Sequence, residues 1–565
     1  MIALALRGAR PRTTAAVSLA AAALLTTCLL SSAAASTQGA SQKPAAANEL
    51  NIVADPTGPF TNGFNPFSSS SSAYVQGATG MIYEPLMQYN LARSGQIYPW
   101  LATSWAWAAG GDELVVRTRT GVKWSDGVPF TAADVAYTFN LLNRFPALDA
   151  NGLELVSATA ASPTEAILKF ASPAYTQLFD ISQVLVVPQH IWQGISTPVG
   201  YSDDQPVGTG PYLVGSFSSL DLTLVRNPHY WQPGLPKIGT LNFVSYGSDP
   251  LAGIAIRSGT IDWNSVFMPN YRAGFVNRDP GHHFEAAYPV GNFFLCPNLT
   301  KYPFNQLVVR QALSESIDRN AIVSQGEHGL YFADTSPTGL TLSRWRRWLA
   351  PQFAKLTEVF NPVGAKSLLE AHGFEAGSNG MLREPDGKPL AMTLLVPAAY
   401  TDWMADGQLI VNETRRAGIA LSLSAVPVSN WVQDEAIGNF QLTFCGQFTT
   451  DGPYSMYDYL LNSSLSAPIG RRASGDPERL VSISSDRALS AAASTQDLTQ
   501  IQAAYTTLET LMVGDIPAVP LFNGGAWAGY STTHAVGWPS ASNPYEMNDL
   551  ESPWDEVVVL RLRPA

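Results

Sequence analysis

An α/β protein of two or three domains is the architecture this sequence predicts, on three observations. The chain has 565 residues, more than one hydrophobic core usually organises. It is 46% hydrophobic and only 14% charged, which supplies ample material for burial and is incompatible with a disordered chain. Along most of its length, strand signals of period two alternate with helical signals of period 3.6.

The N-terminus reads as an export signal. Arg7, Arg10 and Arg12 form a positive region, Ala15 to Leu30 an apolar run, and Ala33-Ala34-Ala35 a small-residue cleavage site. The apolar run is short for a membrane span. Cys28, in Leu25-Thr26-Thr27-Cys28, resembles the lipidated cysteine of bacterial lipoproteins, although Thr27 stands where Gly or Ala is usual. Lipidation of Cys28 and cleavage after Ala35 are both open. Residues 36–48, rich in Ala, Ser and Gln, suit a flexible tether.

Residues 49–60 are expected to open as a short strand ending in turn residues, and a further strand is expected at Leu114–Thr118. The apolar segment Gly77–Asn90, containing Tyr83-Glu84-Pro85-Leu86, reads as a helix leading to a turn. Asp126-Gly127 makes a turn that Pro129 stiffens. Thr131, three positions before Asp134, then offers a capping box to a helix whose apolar face is Val135, Phe139 and Leu142. Alternation resumes over Thr164–Phe170 and after Pro206–Tyr212. Ala252–Arg257 reads as helix, and Ile261-Asp262-Trp263 as a short buried strand. A more regular α/β block follows, with helices at Val308–Ile317 and Gln408–Arg416 and strands at Ala391–Val396, Ile419–Ala425 and Gln441–Phe444. Residues 514–565 read as strand-like throughout.

Charge and motifs exclude several functions. With 33 basic and 45 acidic residues the net charge is −12, and no basic stripe is present, so no nucleic-acid partner is expected. The chain contains no G-x-S-x-G, no H-E-x-x-H, no P-loop and no G-x-G-x-x-G opening a helix, so no catalytic residue is assigned. His282-His283, without further ligands at metal spacing, reads as a solvated loop; no metal and no cofactor is expected. Cys296 and Cys445 lie in apolar strand signals, and either a disulfide or two small buried hydrophobes fits them.

Seven segments, taken in order, carry a resemblance. They are YEPL (83–86), PWLATSW (99–105), GVKWSDGVPFTAADV (121–135), PVGTGPY (206–212), VRNPHYW (225–231), IDW (261–263) and PFNQLVVRQALSESIDR (303–319). From about Asn51 to its C-terminus the chain resembles the extracytoplasmic solute-binding proteins of family 5, receptors of bacterial ABC importers for peptides, nickel and some oligosaccharides. The resemblance implies a two-lobed periplasmic-binding-protein-like fold of type II, cluster C-like, with an extra subdomain inserted in lobe I. Lobe I would comprise 49–62, 186–268 and 510–565, the inserted subdomain 63–185, and lobe II 269–509.

The same resemblance implies a monomeric, exported receptor, periplasmic or on the outer face of the cytoplasmic membrane. It would capture an oligopeptide between its lobes and deliver it to an ABC permease, held to the membrane surface by a lipid on Cys28 if that residue is modified. A β-linked oligosaccharide is the alternative solute, for which 14 Trp and 21 Tyr would supply stacking faces. An exported glycoside- or peptide-cleaving enzyme is the alternative of a different class. In peptide-binding members a lobe II segment G-W-x-x-D-x-x-D-P carries the acid that meets the peptide amine. The matching segment here is Cys445–Leu460, where Thr449 stands at the position of that acid and Asp451 is the nearby alternative. The ligand candidates are Phe64, Asn65, Trp431, Phe448, Asp451, Tyr454 and Trp527.

Overall fold

A computed structural model describes residues 45–565, apart from 47, 57, 69, 70, 94 and 447–451. The expected export signal, Cys28 and most of the tether lie outside the described residues, as do Phe448 and Asp451. Among the described residues no helix is long and apolar enough to cross a membrane.

Two long strands organise the molecule. His282–Pro297 and Val519–Ser531 run antiparallel to each other, and each belongs to both halves of one large sheet. At one end Tyr530 pairs with Trp263, continuing through Glu49–Val53, Thr240–Val244, Asp221–Arg226 and Tyr212–Phe217. At the other end Phe293 pairs with Gly446, continuing through Leu442–Gly446, Ala391–Pro397 and Ala420–Val426. The first set builds lobe I and the second lobe II. Between them the register of the crossing strands shifts at Ala286/Pro289, Pro289/Gly291 and Phe293/Phe294. Such irregularities interrupt the ladder and let a strand bend.

The insert carries its own antiparallel sheet, ordered Ala102–Trp107, Glu113–Thr118, Glu165–Phe170 and Leu155–Ser162. Its helix Ala132–Arg144 starts where the capping box predicts. The Thr131 hydroxyl accepts from the Ala133 amide at 3.3 Å, and the Asp134 carboxylate accepts from the Thr131 amide at 2.8 Å. Val135, Phe139 and Leu142 are buried in the same core as Trp124.

The motifs behind the resemblance meet in that core. Glu84 of YEPL accepts hydrogen bonds from Trp100 Nε1, from Trp231 Nε1 and from the Tyr230 hydroxyl, all at 2.9 Å. Trp100 comes from PWLATSW and the other two from VRNPHYW, so two distant segments satisfy the buried carboxyl of a third, whose pKa burial raises. PVGTGPY contributes a close approach of backbones. A Cβ on Gly208 would stand 1.8 Å from the Ile82 carbonyl oxygen, and the Gly210 amide donates to that same oxygen at 2.9 Å. Gly208→Ala is therefore expected to force these segments apart and destabilise the fold by about 1–3 kcal/mol, read as a lower urea midpoint with unchanged slope.

Several expectations need correction. Gly77–Asn90 is a 3-10 turn at Ala78–Met81 followed by the strand Met87–Asn90, paired with Gln96–Pro99, not a helix. The strand-like tail contains the helix Trp554–Arg561, buried along nearly its whole length. Its Val557-Val558-Val559 run reads as strand, but a helix buried on all sides has no polar face to mark its period. His282 is no solvated loop residue: it lies in a crossing strand, buried, with its ring stacked on Phe275 at 4.1 Å. Cys296 and Cys445 form a disulfide with Cα atoms 5.9 Å apart.

Candidate functional site

Beside the middle of the crossing strands lies a cavity of about 600 Å³, lined in part by Gly291 and Phe293 from one and by Gly524 and Trp527 from the other. Lobe I supplies Asp55 and Phe267, which stand just past the carboxyl ends of the parallel strands Glu49–Val53 and Trp263–Asn264. That end of an open α/β sheet is where its crevice forms. Lobe II supplies Tyr331, Tyr400, Asp402 and Trp403. The insert contributes Leu142 from the end of its capped helix and 148–151 from the loop beyond, so the opening turn and helix of the insert hold up one wall. The C-terminal segment 549–552, with Trp554, closes the remainder.

Aromatic side chains form much of the lining, and each is fixed from behind. Trp403 meets Phe293, Tyr400 and Trp431 edge to face, with centroids 6.1, 5.6 and 5.3 Å away. Trp527 donates through Nε1 to the Tyr331 hydroxyl at 3.2 Å. Tyr331 is in turn stacked on Phe522 at 5.3 Å. Such packing presents flat faces in defined orientations.

Carboxylates supply the charge. Asp55, Asp149, Asp249, Asp402, Asp549 and Glu551 line the cavity, and among the described residues of its lining there is no Lys, Arg or His. Asp149 is engaged locally, accepting from the Asn151 and Leu153 amides at 3.1 and 2.7 Å. Asp249 and Asp402 lie in the first turns of the helices Asp249–Arg257 and Thr401–Arg416. They face each other across the lobes: Asp249 Oδ2 accepts from the Thr401 hydroxyl at 3.0 Å and from its amide at 3.4 Å.

The surrounding protein removes water from these groups and each feels the charge of its neighbours, so their pKa values rise. Asp55 is pushed up to about 7, first by desolvation and then by Asp249 and Glu551. Asp402 is also pushed up to about 7, by desolvation and then by Asp249 and Asp55. Asp549 is held well above the usual carboxylate range by burial and by Glu551, Asp555 and Asp55. Sites of this kind are where fixed protein groups await a counter-charge.

The sequence-derived candidates are distributed unevenly around this cavity. Trp527 lines it. Trp431 stands behind Trp403 and donates through Nε1 to Thr443 Oγ1 at 2.9 Å. Phe64 is buried in the core of lobe I against Phe217, with centroids 6.4 Å apart. Asn65 is buried too, donating to the carbonyls of Pro198 and Tyr201 at 3.2 and 2.8 Å. Tyr454 packs against the second lobe II core, away from the cavity lining. The cavity acids were not among the candidates. The signals that could have found them are an Asp straight after the strand 49–53 and acids opening two helices, which read equally well as turn and cap residues. Among the described residues no cluster of His, Cys, Asp and Glu has the geometry to hold a metal ion.

Comparison with known proteins places the molecule. The family model described as "Bacterial extracellular solute-binding proteins, family 5 Middle" matches residues 96–467. A curated relative, the nickel-binding periplasmic protein of Escherichia coli K12, is 25% identical over 500 residues, covering 85% of this chain and 90% of its own. A solved oligopeptide ABC transporter periplasmic binding protein of Thermotoga maritima with mannohexaose bound superposes with TM-score 0.83 at 22% identity, over 92% of this chain and 99% of that one. The oligopeptide-binding protein AppA of Bacillus subtilis, in complex with a nonapeptide, superposes with TM-score 0.76 at 19% identity, over 93% and 100%. These structures share the two-lobed fold described above.

Proposed function

The chain belongs to family 5 of the bacterial extracellular solute-binding proteins, a solute-binding receptor, and from that premise we propose that its cavity captures an oligopeptide-type solute for an ABC permease. The observation that carries this reading is a partly open cavity of about 600 Å³ with walls from both lobes, beside the two strands that run from one lobe into the other. Its size falls in the range of about 300–1,000 Å³ typical of small-ligand sites. A solute touching both walls stabilises the closed arrangement by as much as it prefers it to the open one. We place the hinge at the register shifts, about 287–291 and 524–526, so that lobe II runs between them. Ligand contacts are assigned to Trp527 and Trp403 as stacking faces, and to Asp55 and Asp402 as partners of an amino terminus. Asp451, the sequence-derived candidate for that role, lies outside the described residues.

Export by the N-terminal signal, ending either in cleavage after Ala35 or in attachment through Cys28, and action as a monomer complete this reading, in which no bond of the solute is broken. A β-linked oligosaccharide is the second reading, favoured by the aromatic lining. The test is a thermal-shift series with di- to hexapeptides and cello-oligosaccharides, followed by chromatography of the solute. Peptides are expected to raise the melting temperature and to be recovered intact. A shift with cello-oligosaccharides alone selects the second reading, and cleavage products overturn the receptor.

A further inference from the structure

We infer that the cavity selects a solute bearing at least two positive charges, such as ammonium groups on a short flexible backbone, over neutral solutes of the same length. This rests on the receptor reading above and narrows it. The first ground is composition in space. With Asp149 set aside as locally satisfied and Glu551 not counted, Asp55, Asp249, Asp402 and Asp549 from both lobes line one cavity, with no basic residue among its described lining residues. One ammonium group would leave most of that charge unmatched, and unmatched charge held away from water is costly.

The second ground is unused hydrogen-bonding capacity. Asp249 is only 6% exposed, and both of its hydrogen bonds fall on Oδ2, so Oδ1 has no partner among the described residues. Asp55, exposed on the same cavity wall, has no hydrogen bond to its carboxylate among the described residues. Asp402 is met only by amides of its own turn. A buried carboxylate oxygen without a donor normally has one supplied from elsewhere, and a solute ammonium group brings three. The third ground is the aromatic lining. Trp403, Trp527, Tyr400 and Phe267 share the cavity with these acids, and ring faces attract cations when water is excluded.

Other features carry less. The buried Glu84 and Glu556 pair is satisfied by Tyr230 and the indoles around it. The exposed Val481 and Ile483 on lobe II have nothing in the structure to say what covers them.

The experiment is calorimetric titration of the full chain with trilysine, trialanine, spermidine and cellotriose at pH 7.5, in low and in high salt. Trilysine is expected to bind at least tenfold tighter than trialanine, and to lose more affinity than trialanine in high salt. Asp55→Asn and Asp402→Asn, nearly isosteric and relieved of mutual repulsion, are expected to weaken trilysine, which brings four ammonium groups, more than trialanine, which brings only its amino terminus, and so to remove most of that preference. Trialanine binding as tightly as trilysine, or a preference that survives both substitutions, overturns the inference and leaves the receptor reading standing. Spermidine binding without trilysine keeps the dication and overturns the peptide. Cellotriose binding alone overturns the dication and the peptide together while keeping a receptor. Failure of all four probes overturns the proposed solute and the inference with it.

Discussion

Removing the Cys296–Cys445 bridge, by Cys296→Ala with Cys445→Ala, lowers the free energy of unfolding by about 2–5 kcal/mol. The two cysteines are 149 positions apart, so the bridge closes a loop containing most of lobe II. A cross-link over so long a span removes much of the conformational freedom of the unfolded chain; the chain-entropy relation gives about 5 kcal/mol for it, and measured losses usually fall below that figure. Both sulfurs are buried among Phe294, Tyr457 and Met512, so the two alanines add a small packing loss. The bridge also ties a crossing strand to Leu442–Gly446, where Gly446 lets the chains approach: a Cβ there would stand 2.2 Å from the Asn292 carbonyl oxygen. Denaturant titrations of the parent and the double variant check the loss. A thiol assay on unreduced, unfolded parent is expected to find no free thiol apart from any on Cys28; two further free thiols would remove the basis of the prediction. Such a bond persists in the oxidising compartment that an exported receptor occupies.

The sequence carried the local grammar of the fold well. The capped helix 132–144 was legible because its start is set by Thr131 and Asp134, three residues apart, and its face by 3.6-residue spacing. The strands Ala391–Pro397 and Ala420–Val426 were legible, the first as a largely apolar run and the second because Leu421 and Leu423 alternate with Ser422 and Ser424. The helix Thr401–Arg416 was found only from Gln408 onward, since its start lacks a side-chain cap and carries Gly407. That missing first turn holds Asp402 and Trp403, so the error in the helix start hid two cavity residues. The same logic governs the site as a whole. Asp55, Asp249, Asp402 and Asp549 are far apart in the chain, and each alone has an ordinary explanation as a turn or cap residue. Only the tertiary fold brings them to one cavity without a base, and that juxtaposition leaves no trace in local spacing. Phe64 and Asn65, chosen by position, serve the lobe I core.

Affinity for a dicationic peptide rises with pH between about 5 and 8, by about tenfold from pH 6 to 8 for each carboxyl that must ionise near 7. Asp55 and Asp402 are the groups concerned, both raised from the ordinary Asp value to about 7. Asp55 is faced by Asp249, Asp402, Asp549 and Glu551, and by the Tyr400 ring beside them. Asp402 also acts on Glu327 and Asp406 behind it in lobe II. All of these are acids or a phenol, so none supplies a positive charge. In the empty receptor the folded form holds protons that the unfolded chain has released between about pH 4 and pH 7. The stabilising contribution of a raised carboxyl is therefore complete below the unfolded pKa and is lost as pH climbs through the folded one. The melting temperature of the empty protein should fall from pH 5 to pH 8. A bound dication favours the ionised carboxylates, displaces those protons and suppresses the fall. Calorimetry at pH 6.5 in two buffers of different ionisation enthalpy reads the displaced protons directly, and Asp402→Asn is expected to reduce their number. A peptide with uncharged side chains provides the contrast, because trialanine brings only its amino terminus, so it displaces fewer protons and its affinity should rise less across the same window. Equal proton release by trilysine and trialanine would show that the acids titrate independently of the solute and that their charge is not what the cavity reads.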